Sequence, residues 1–249
     1  MRYLINIEYD GTDFAGWQRQ KNAQNTVQEI LESAFRTVLR EKIILVASGR
    51  TDKGVHALAQ AAHFDSVCEA KNLPSVIHHV NCLLPEAISI VKYKPVSAEF
   101  HAQYAAKKKT YRYAFYFSEA LHPLRERFSF YVPLRQSINV AKMQQAAAVF
   151  EGLHDFRAFS SEARTVLTTE RLIYNVKATA EGDNLYLEIT GTGFLYNMVR
   201  MLAGALLEVG KGKLTVDDLK RMLDNGERGD CVFKTLPAKG LTLVNVIYE

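Results

Sequence analysis

Apolar and polar residues alternate in short segments along much of this chain, a pattern typical of β-strands that bury one face. Residues 2–9 alternate in this way, and residues 87–96 and 241–248 form further apolar-rich segments. Apolar residues at helical spacing run from Val27 to Leu39, directly after the cap sequence Thr26-x-x-Glu29. The pattern therefore predicts strands and amphipathic helices in mixed order, which is an α+β protein.

The second half of the chain repeats the order strand, helix, strands, helix. The elements predicted there are a strand at 110–116, a helix at 139–150, hairpin strands at 169–180 and 184–190, a helix at 194–207 and a helix capped by Thr215. The recurrence predicts two similar α+β domains, residues 1–104 and residues 105–249.

Composition limits the class of protein. The chain has 249 residues, of which 48% are hydrophobic and 23% are charged, as in globular proteins. No apolar run approaches the length that spans a bilayer, and the first residues already read as a strand, so we expect a cytoplasmic protein without a membrane partner. The three cysteines, Cys68, Cys82 and Cys231, are odd in number and far apart, which argues against disulfides and thiolate metal sites.

Positive charge is concentrated in the second half. Residues 1–104 carry 11 basic and 11 acidic residues, whereas residues 105–249 carry 20 and 16. Clusters such as Lys107-Lys108-Lys109 suggest a polyanionic partner. Because solvated protein faces also carry such clusters, charge alone does not decide between these interpretations.

The octapeptide Gly49-Arg50-Thr51-Asp52-Lys53-Gly54-Val55-His56 is the densest group of chemically active side chains. Apolar segments flank it on both sides, so it is predicted to be a tight loop between two strands. Glycines allow such a loop to turn sharply and allow another molecule to approach its backbone. Asp52 close to Arg50 on a supported loop is a candidate reaction centre, and a surface ion pair on a turn is the alternative.

Two further positions bear on this loop. Arg200 lies in the apolar segment predicted as a buried helix, and its neighbours at helical spacing include no carboxylate. A buried guanidinium needs an anion or several hydrogen bonds, so Asp52 is its predicted partner. Lys109 and Tyr111 share one face of the predicted strand, which places a cation beside an aromatic hydroxyl.

Other candidates have ordinary structural alternatives. Trp17 lies on a polar loop, where it could stack on a nucleotide or simply cover the edge of the core. His154-Asp155 could be a catalytic pair, although a local hydrogen bond in a loop is the preferred interpretation.

Several cofactor motifs fail at a required position. Gly49 and Gly54 have the spacing of a phosphate-binding loop, but Val55-His56 stands where Lys-Ser/Thr is needed. Gly191 and Gly193 follow a predicted strand, but Tyr196 replaces the third glycine of a dinucleotide site. The sequence also contains no Gly-x-Ser-x-Gly and no His-Glu-x-x-His motif. Nucleotide cofactors, serine hydrolysis and zinc proteolysis therefore lack support in the sequence.

The octapeptide closely resembles the signature of the tRNA pseudouridine synthase A family, and the resemblance extends along the whole chain. The other matching segments are Tyr9-Asp10-Gly11, Gly16-Trp17-Gln18, Phe100-His101-Ala102, Lys109-x-Tyr111-x-Tyr113, His154-Asp155-Phe156, Gly193-Phe194, Met198-Val199-Arg200 and Pro237-Ala238-x-Gly240-Leu241. Two positions depart from the family pattern. Gln103 stands where an arginine is expected, and Lys53 stands where alanine is common.

The resemblance implies a pseudouridine synthase fold, in which each domain is a mainly antiparallel sheet with helices on one face and the active-site cleft lies between the domains. It implies a cofactor-free homodimer that converts uridine to pseudouridine in tRNA, at uridines 38–40 of the anticodon stem-loop. Asp52 would be the nucleophile, Arg50 would hold the flipped nucleotide or fill its place, and Arg200 would pair with Asp52. Tyr111 would stack on the target base, and Lys109 and Leu243 would also bind substrate.

Two other classes of function remain. The chain could be a tRNA-binding module without catalysis, although such a module has no need for Asp52 paired with a buried arginine. It could also be a metal-dependent nuclease that uses Asp10, Asp13 and Asp52.

Overall fold

The computed structural model describes residues 1–20, 24–133, 138–161 and 167–249. In these ranges the helices are α1 (Val27–Leu39), α2 (Leu73–Leu83), α3 (Val140–Ala147), α4 (Met198–Gly210) and α5 (Val216–Asn225). The strands are β1 (Arg2–Tyr9), β2 (Val46–Ala47), β3 (His56–Asp65), β4 (Ile88–Val96), β5 (Lys108–Ser118), β6 (Phe130–Pro133), β7 (Gly152–Asp155), β8 (Glu170–Glu181), β9 (Asn184–Gly191) and β10 (Leu241–Ile247). This content confirms the predicted α+β class, and no helix in the described ranges is long and apolar enough to cross a membrane.

The chain divides into two compact units. The first unit contains residues 1–107 and 242–249, and the second contains residues 108–241. The change of unit falls close to the predicted boundary between residues 104 and 105. The C-terminal strand, which the prediction placed in the second domain, groups with the first unit because β10 pairs in parallel with β3.

The first unit is built on a sheet in the order β4-β1-β3-β10, with β2 paired to β3. The pairs β1–β3, β1–β4 and β2–β3 are antiparallel. Helix α1 packs on this sheet through Phe35, whose ring centre lies 4.7 Å from that of Phe64 on β3. Both rings are buried, so the predicted apolar stripe of α1 is confirmed as its core-facing side.

The ends of α1 and α5 follow the predicted capping signals. The Thr26 side chain accepts a hydrogen bond from the backbone N–H of Glu29 at the start of α1. Thr215 and Asp218 form a reciprocal capping box at the start of α5, and Gly226 ends that helix in the left-handed conformation. Short side chains that hydrogen-bond to local backbone groups can therefore be recognised from the sequence alone.

The second unit is built on a sheet in the order β5-β9-β8-β7, with β6 paired in parallel to β5. Strands β8 and β9 form the predicted hairpin, whose turn contains Gly182 at a positive φ of 59°. Helices α3 and α4 approach closely at Gly210, where an added Cβ would lie only 2.8 Å from the Met143 side chain. This contact is part of the core of the unit, in which nearly every residue of α4 is buried.

Helix α4 begins at Met198, so the predicted start at Phe194 is wrong. Asn197 adopts a left-handed conformation with φ of 61°, which interrupts helical geometry directly before α4. Apolar residues continue through this interruption, and for that reason the hydrophobic pattern did not reveal it. As a consequence Arg200 lies in the first turn of α4 and is half-buried, rather than buried in the middle of the helix.

Candidate active site

The octapeptide Gly49–His56, called here the Asp52 loop, connects β2 to β3 as predicted. The backbone N–H of Val55 donates to the carbonyl of Asp52 at 3.1 Å, which closes a tight turn. Gly54 occupies the third position of this turn with φ of 79°, a conformation that favours glycine. The turn leaves Arg50 and Lys53 exposed and Asp52 half-buried. Asp52 is therefore carried at the start of a constrained turn and retains access to solvent.

A buried tyrosine supports the loop from below. The hydroxyl of Tyr9, at the end of β1, is hydrogen-bonded to the hydroxyl of Thr51 at 2.8 Å. Both side chains are almost wholly buried, and burial raises the pKa of Tyr9 well above its usual value, so it stays a neutral phenol. A bond between two buried hydroxyls, both shielded from water, holds the residue directly before Asp52 in one position.

A second loop, residues 11–20, clamps the backbone of the Asp52 loop. The N–H of Trp17 donates to the carbonyl of Thr51 at 3.0 Å. Gly16 has φ of 97°, and a Cβ built on it would lie 2.8 Å from that same carbonyl oxygen. The Trp17 ring is only 1% exposed and lies 6.3 Å from the Tyr9 ring. Trp17 is therefore a core residue, and the alternative in which it stacks on a nucleotide is wrong for this structure.

Because Gly16 lies so close to the carbonyl of Thr51, we expect a side chain at this position to impair function. Gly16→Ala should lower turnover roughly tenfold to a hundredfold, because the added methyl must displace the backbone at Thr51 and Asp52. The backbone strain should also lower the free energy of unfolding by about 1–3 kcal/mol. Turnover and thermal unfolding of the purified variant measure the two effects separately.

Gly182→Ala is the matched control for this prediction. Gly182 also has a positive φ, but nothing lies within 4 Å of a Cβ built there. Its substitution should therefore carry the backbone penalty without moving the Asp52 loop. Equal turnover in the two variants would show that the close approach at Gly16 does not matter for function.

His56 ends the loop in a buried position that involves the neighbouring Asp10-Gly11 turn. Its Nδ1 lies 3.0 Å from the N–H of Gly11, which donates to it, and 3.2 Å from Oδ1 of Asp10. The same Asp10 oxygen accepts hydrogen bonds from the N–H and the hydroxyl of Thr12. These contacts account for Asp10 as part of a local turn. Across the described ranges, no group of three or more His, Cys, Asp or Glu side chains could hold a metal ion.

Leu243 lies on β10, beside the strand that leaves the Asp52 loop. It pairs with Ala57, and its neighbour Thr242 pairs with His56. The Leu243 side chain is only 1% exposed, so here it packs in the core of the first unit. Its predicted contact with substrate stays a prediction.

The remaining predicted site residues lie on the second unit. Lys109 and Tyr111 occupy the start of β5, where they pair with Gly191 and Ile189 of β9. The Tyr111 ring is 9% exposed and meets the Phe194 ring edge-on, with ring centres 5.2 Å apart. Burial lowers the pKa of Lys109 below its usual value. The strand thus carries a partly desolvated amine and an aromatic ring that is held at a defined angle.

Arg200 is anchored by Asn197, its neighbour at helical spacing, and by a backbone carbonyl that the sequence patterns did not indicate. Its Nε donates to the carbonyl of Leu236 at 2.6 Å, and its Nη1 donates to Oδ1 of Asn197, also at 2.6 Å. The next carbonyl along the chain, that of Pro237, accepts a hydrogen bond from the Tyr113 hydroxyl at 2.8 Å. Hydrogen bonds to a carbonyl and an amide therefore orient this guanidinium, and its pairing with Asp52 stays a prediction.

Residues 234–240 form the segment that anchors Arg200, and two glycines allow this segment to pack closely against its neighbours. The backbone of Lys234 passes so close to Gly204 of α4 that no side chain could stand there. Gly240 similarly lies against the ring of Tyr113, where a Cβ would be 2.6 Å from the nearest ring atom. Pro237-Ala238-x-Gly240 was part of the matched sequence pattern, but only the structure reveals that this segment orients Arg200.

Two lesser candidates have local roles. His154 Nε2 lies 2.7 Å from the carbonyl of Glu151, and Asp155 accepts from the N–H of Arg157 at 2.9 Å. The preferred interpretation of this pair as local hydrogen bonding is confirmed, although the residues lie at strand β7 rather than in a loop. Gln103 is exposed, at the position where an arginine was expected.

The fold and the braced loop define this chain as an α+β protein whose candidate chemistry lies on a connection between two strands. The family model described as tRNA pseudouridine synthase matches residues 5–105 and 146–249. These ranges include Arg50, Asp52, Arg200 and Leu243, whereas Lys109 and Tyr111 lie outside them.

Relatives named tRNA pseudouridine synthase A are similar over nearly the whole chain. The protein from Ruminiclostridium cellulolyticum is 42% identical over 247 residues, covering 98% of each chain. That from Citrifermentans bemidjiense is 41% identical over 243 residues, covering 98% of this chain and 96% of the relative. That from Bacillus licheniformis is 40% identical over 254 residues and covers all of both chains. This chain belongs to the tRNA pseudouridine synthase family, which confirms the resemblance of the octapeptide.

Among solved structures, a chain of a Cbf5-Nop10-Gar1 complex is similar with a TM-score of 0.36 and 14% identity, over 82% of this chain and 45% of that chain. That likeness is too distant to bear on the details of the fold.

Proposed function

We propose that this protein isomerises uridine to pseudouridine in tRNA, with Asp52 as the nucleophile. The observation that carries the proposal is the braced Asp52 loop, which lies within the first range matched by the family model. Family membership supports the reaction and tRNA as the substrate. The target on the 3′ side of the anticodon stem-loop is the finer part of the proposal.

The reaction exchanges one bond to the ribose for another. The bond from C1′ to N1 of the base breaks, the base turns, and a bond from C1′ to C5 forms, while C5 loses a proton and N1 gains one. Asp52 would attack either the ribose or the base, and the bond that it forms would break again before the product leaves. For this attack the carboxylate must be ionised. A guanidinium nearby favours the ionised carboxylate and lowers its pKa. Arg50 on the same loop and Arg200 are the arginines proposed to act in this step.

The target uridine must leave the helical stack before it can react. Flipping a base out of a stem costs a few kcal/mol. Stacking on an aromatic side chain contributes about 1–3 kcal/mol per base, which offsets much of that cost. Tyr111 is proposed to supply this stacking, because the contact with Phe194 already holds its ring in place. Lys109, beside it on β5, would contact substrate as a cation or as a neutral amine.

The distribution of charge fits a tRNA substrate. The excess of basic over acidic residues lies entirely after residue 104. The second half can therefore neutralise the phosphates of tRNA without recognising particular bases. We also propose, from the family resemblance, that the protein acts as a homodimer in the cytoplasm. The measured mass in solution tests the dimer.

Release of tritium tests the function directly. Because C5 of uridine gives up its hydrogen, the purified protein should release tritium from tRNA that carries 5-tritiated uridine, without added cofactor. Release should persist in EDTA, and the tRNA should keep its length on a denaturing gel. A metal-dependent nuclease would shorten the tRNA and lose activity in EDTA, whereas a pure binding module would retain tRNA and release no tritium. Either result would contradict the proposal.

A further inference from the structure

One wholly buried amide, that of Gln60 on β3, contacts the start of the Asp52 loop at several points. Its Nε2 donates to the carbonyl of Gly49 at 2.9 Å. Its Oε1 accepts a hydrogen bond from the Ser48 hydroxyl, also at 2.9 Å. Gln60 and Ser48 are both 0% exposed, so water does not compete for the bond between them.

Gln60 also reaches the residue that precedes Asp52. Its side chain also interacts with the hydroxyl of Tyr9, which is hydrogen-bonded to the hydroxyl of Thr51 at 2.8 Å. The carbonyl of Thr51 accepts from Trp17 on the opposite side. The backbone that leads into Asp52 is therefore held by a connected group of polar side chains. Gln60 links the contacts at Ser48 and Gly49 to the Tyr9–Thr51 pair.

The strand itself does not depend on this side chain. The backbone of Gln60 is held in β3 by its pairing with Ile7 of β1, at the end of a regular antiparallel ladder that begins at the pair Arg2–Asp65. Replacing the amide with an apolar group of similar size would preserve the ladder. It would remove the amide donor from the carbonyl of Gly49 and the acceptor from the hydroxyl of Ser48, and the loss of these two hydrogen bonds would let the start of the loop move.

We propose that Gln60 is a positioning residue, whose buried amide sets the location of the Asp52 carboxylate through Ser48, Gly49 and the Tyr9–Thr51 pair. The inference rests on the proposed function, since it concerns the geometry of the same reaction. Gln60 itself need not touch the tRNA, because its side chain is fully enclosed by the first unit.

The test separates the chemical step from tRNA binding. In Gln60→Leu, single-turnover release of tritium at saturating enzyme should fall about a hundredfold, as for a displacement of roughly 1 Å at a reacting group. The Kd for tRNA should stay within about threefold of wild type, because the basic surface is unchanged. A wild-type rate in this variant would overturn the inference.

Tyr9→Phe provides a second and milder variant, which removes only the hydroxyl that links Gln60 to Thr51. Its ring can still pack against Trp17. The single-turnover rate should fall roughly tenfold, again with tRNA affinity retained. If Gln60→Leu does not fold, this variant decides, and an unchanged rate in it would overturn the inference.

Asn81→Leu is the matched control. Asn81 joins α2 to β4 in the same unit, where its amide makes two hydrogen bonds to the backbone of Ile90, at 3.0 and 2.9 Å. Its replacement should lower thermal stability and leave the single-turnover rate unchanged. A rate loss in Asn81→Leu as large as that in Gln60→Leu would show general loosening of the unit and refute a positioning role. Absence of release by the wild-type protein would instead overturn the proposed function.

Discussion

Asp52→Asn should abolish the release of tritium from 5-tritiated tRNA, a loss of roughly 10⁵-fold or more, as expected when a catalytic nucleophile is removed. The amide has nearly the size of the carboxylate, but it carries no negative charge and is a poor nucleophile. The backbone of the turn should persist, because the hydrogen bonds to Thr51 and from Val55 do not involve the Asp52 side chain. Affinity for tRNA should therefore stay within about threefold of wild type.

Lys53→Ala is the control in the same loop. Lys53 is exposed and follows Asp52 directly, so its substitution removes a charge from the loop without touching the proposed nucleophile. Its turnover should remain close to that of wild type. Release of tritium by Asp52→Asn at a rate comparable to that of Lys53→Ala would show that Asp52 is not the nucleophile. Joint loss of release and tRNA binding in Asp52→Asn would point to a defect in folding or in recognition.

Arg200→Leu should lower turnover by about 10²–10³-fold while the protein remains folded. If Arg200 pairs with Asp52, its removal raises the pKa of that carboxylate, because the ionised form loses a favourable charge nearby. The acidic limb of the pH–rate profile should then move to higher pH. Arg200→Lys keeps the charge, so its pH–rate profile should lie closer to that of wild type, although lysine lacks the planar set of donors.

The structural contribution of Arg200 needs its own control, since this side chain also donates to Leu236 and Asn197. Arg228→Leu serves, because Arg228 is likewise half-buried in the second unit and donates its Nε to the carbonyl of Ala158 at 2.7 Å. Its substitution should reduce stability without moving the pH–rate profile. A profile that is unchanged in Arg200→Leu, or shifted equally in Arg228→Leu, would refute the pairing.

The sequence predicted those parts of the structure that depend on local interactions better than those that depend on contacts between distant segments. Strand β1, helix α1 and the β8–β9 hairpin were predicted because alternation, helical periodicity and turn residues are local properties. The start of α4 was predicted wrongly because Asn197 leaves helical geometry within an apolar run. The C-terminal strand was assigned to the wrong domain because its pairing with β3 joins segments far apart in the chain.

The same distinction between local and distant interactions applies to the candidate site. Asp52 and Arg50 could be identified from their order in the octapeptide, which the family pattern made specific. The supports of the loop could not, since Tyr9, Trp17 and Gln60 reach it from three other segments. Arg200 was singled out because a guanidinium in an apolar segment requires partners, but the partners found include a carbonyl that no sequence pattern specifies.

By itself the sequence determined the α+β class and the family, and it supplied the candidate side chains for the chemistry. Those properties depend on residue identity and on spacing within a few positions, which a linear chain displays directly. Only the tertiary structure decided that Trp17 is a core residue, that Arg200 lies in the first turn of its helix and that a buried amide supports the Asp52 loop. Those properties depend on which distant segments exclude water from one another, and burial of that kind exists only once the chain has folded.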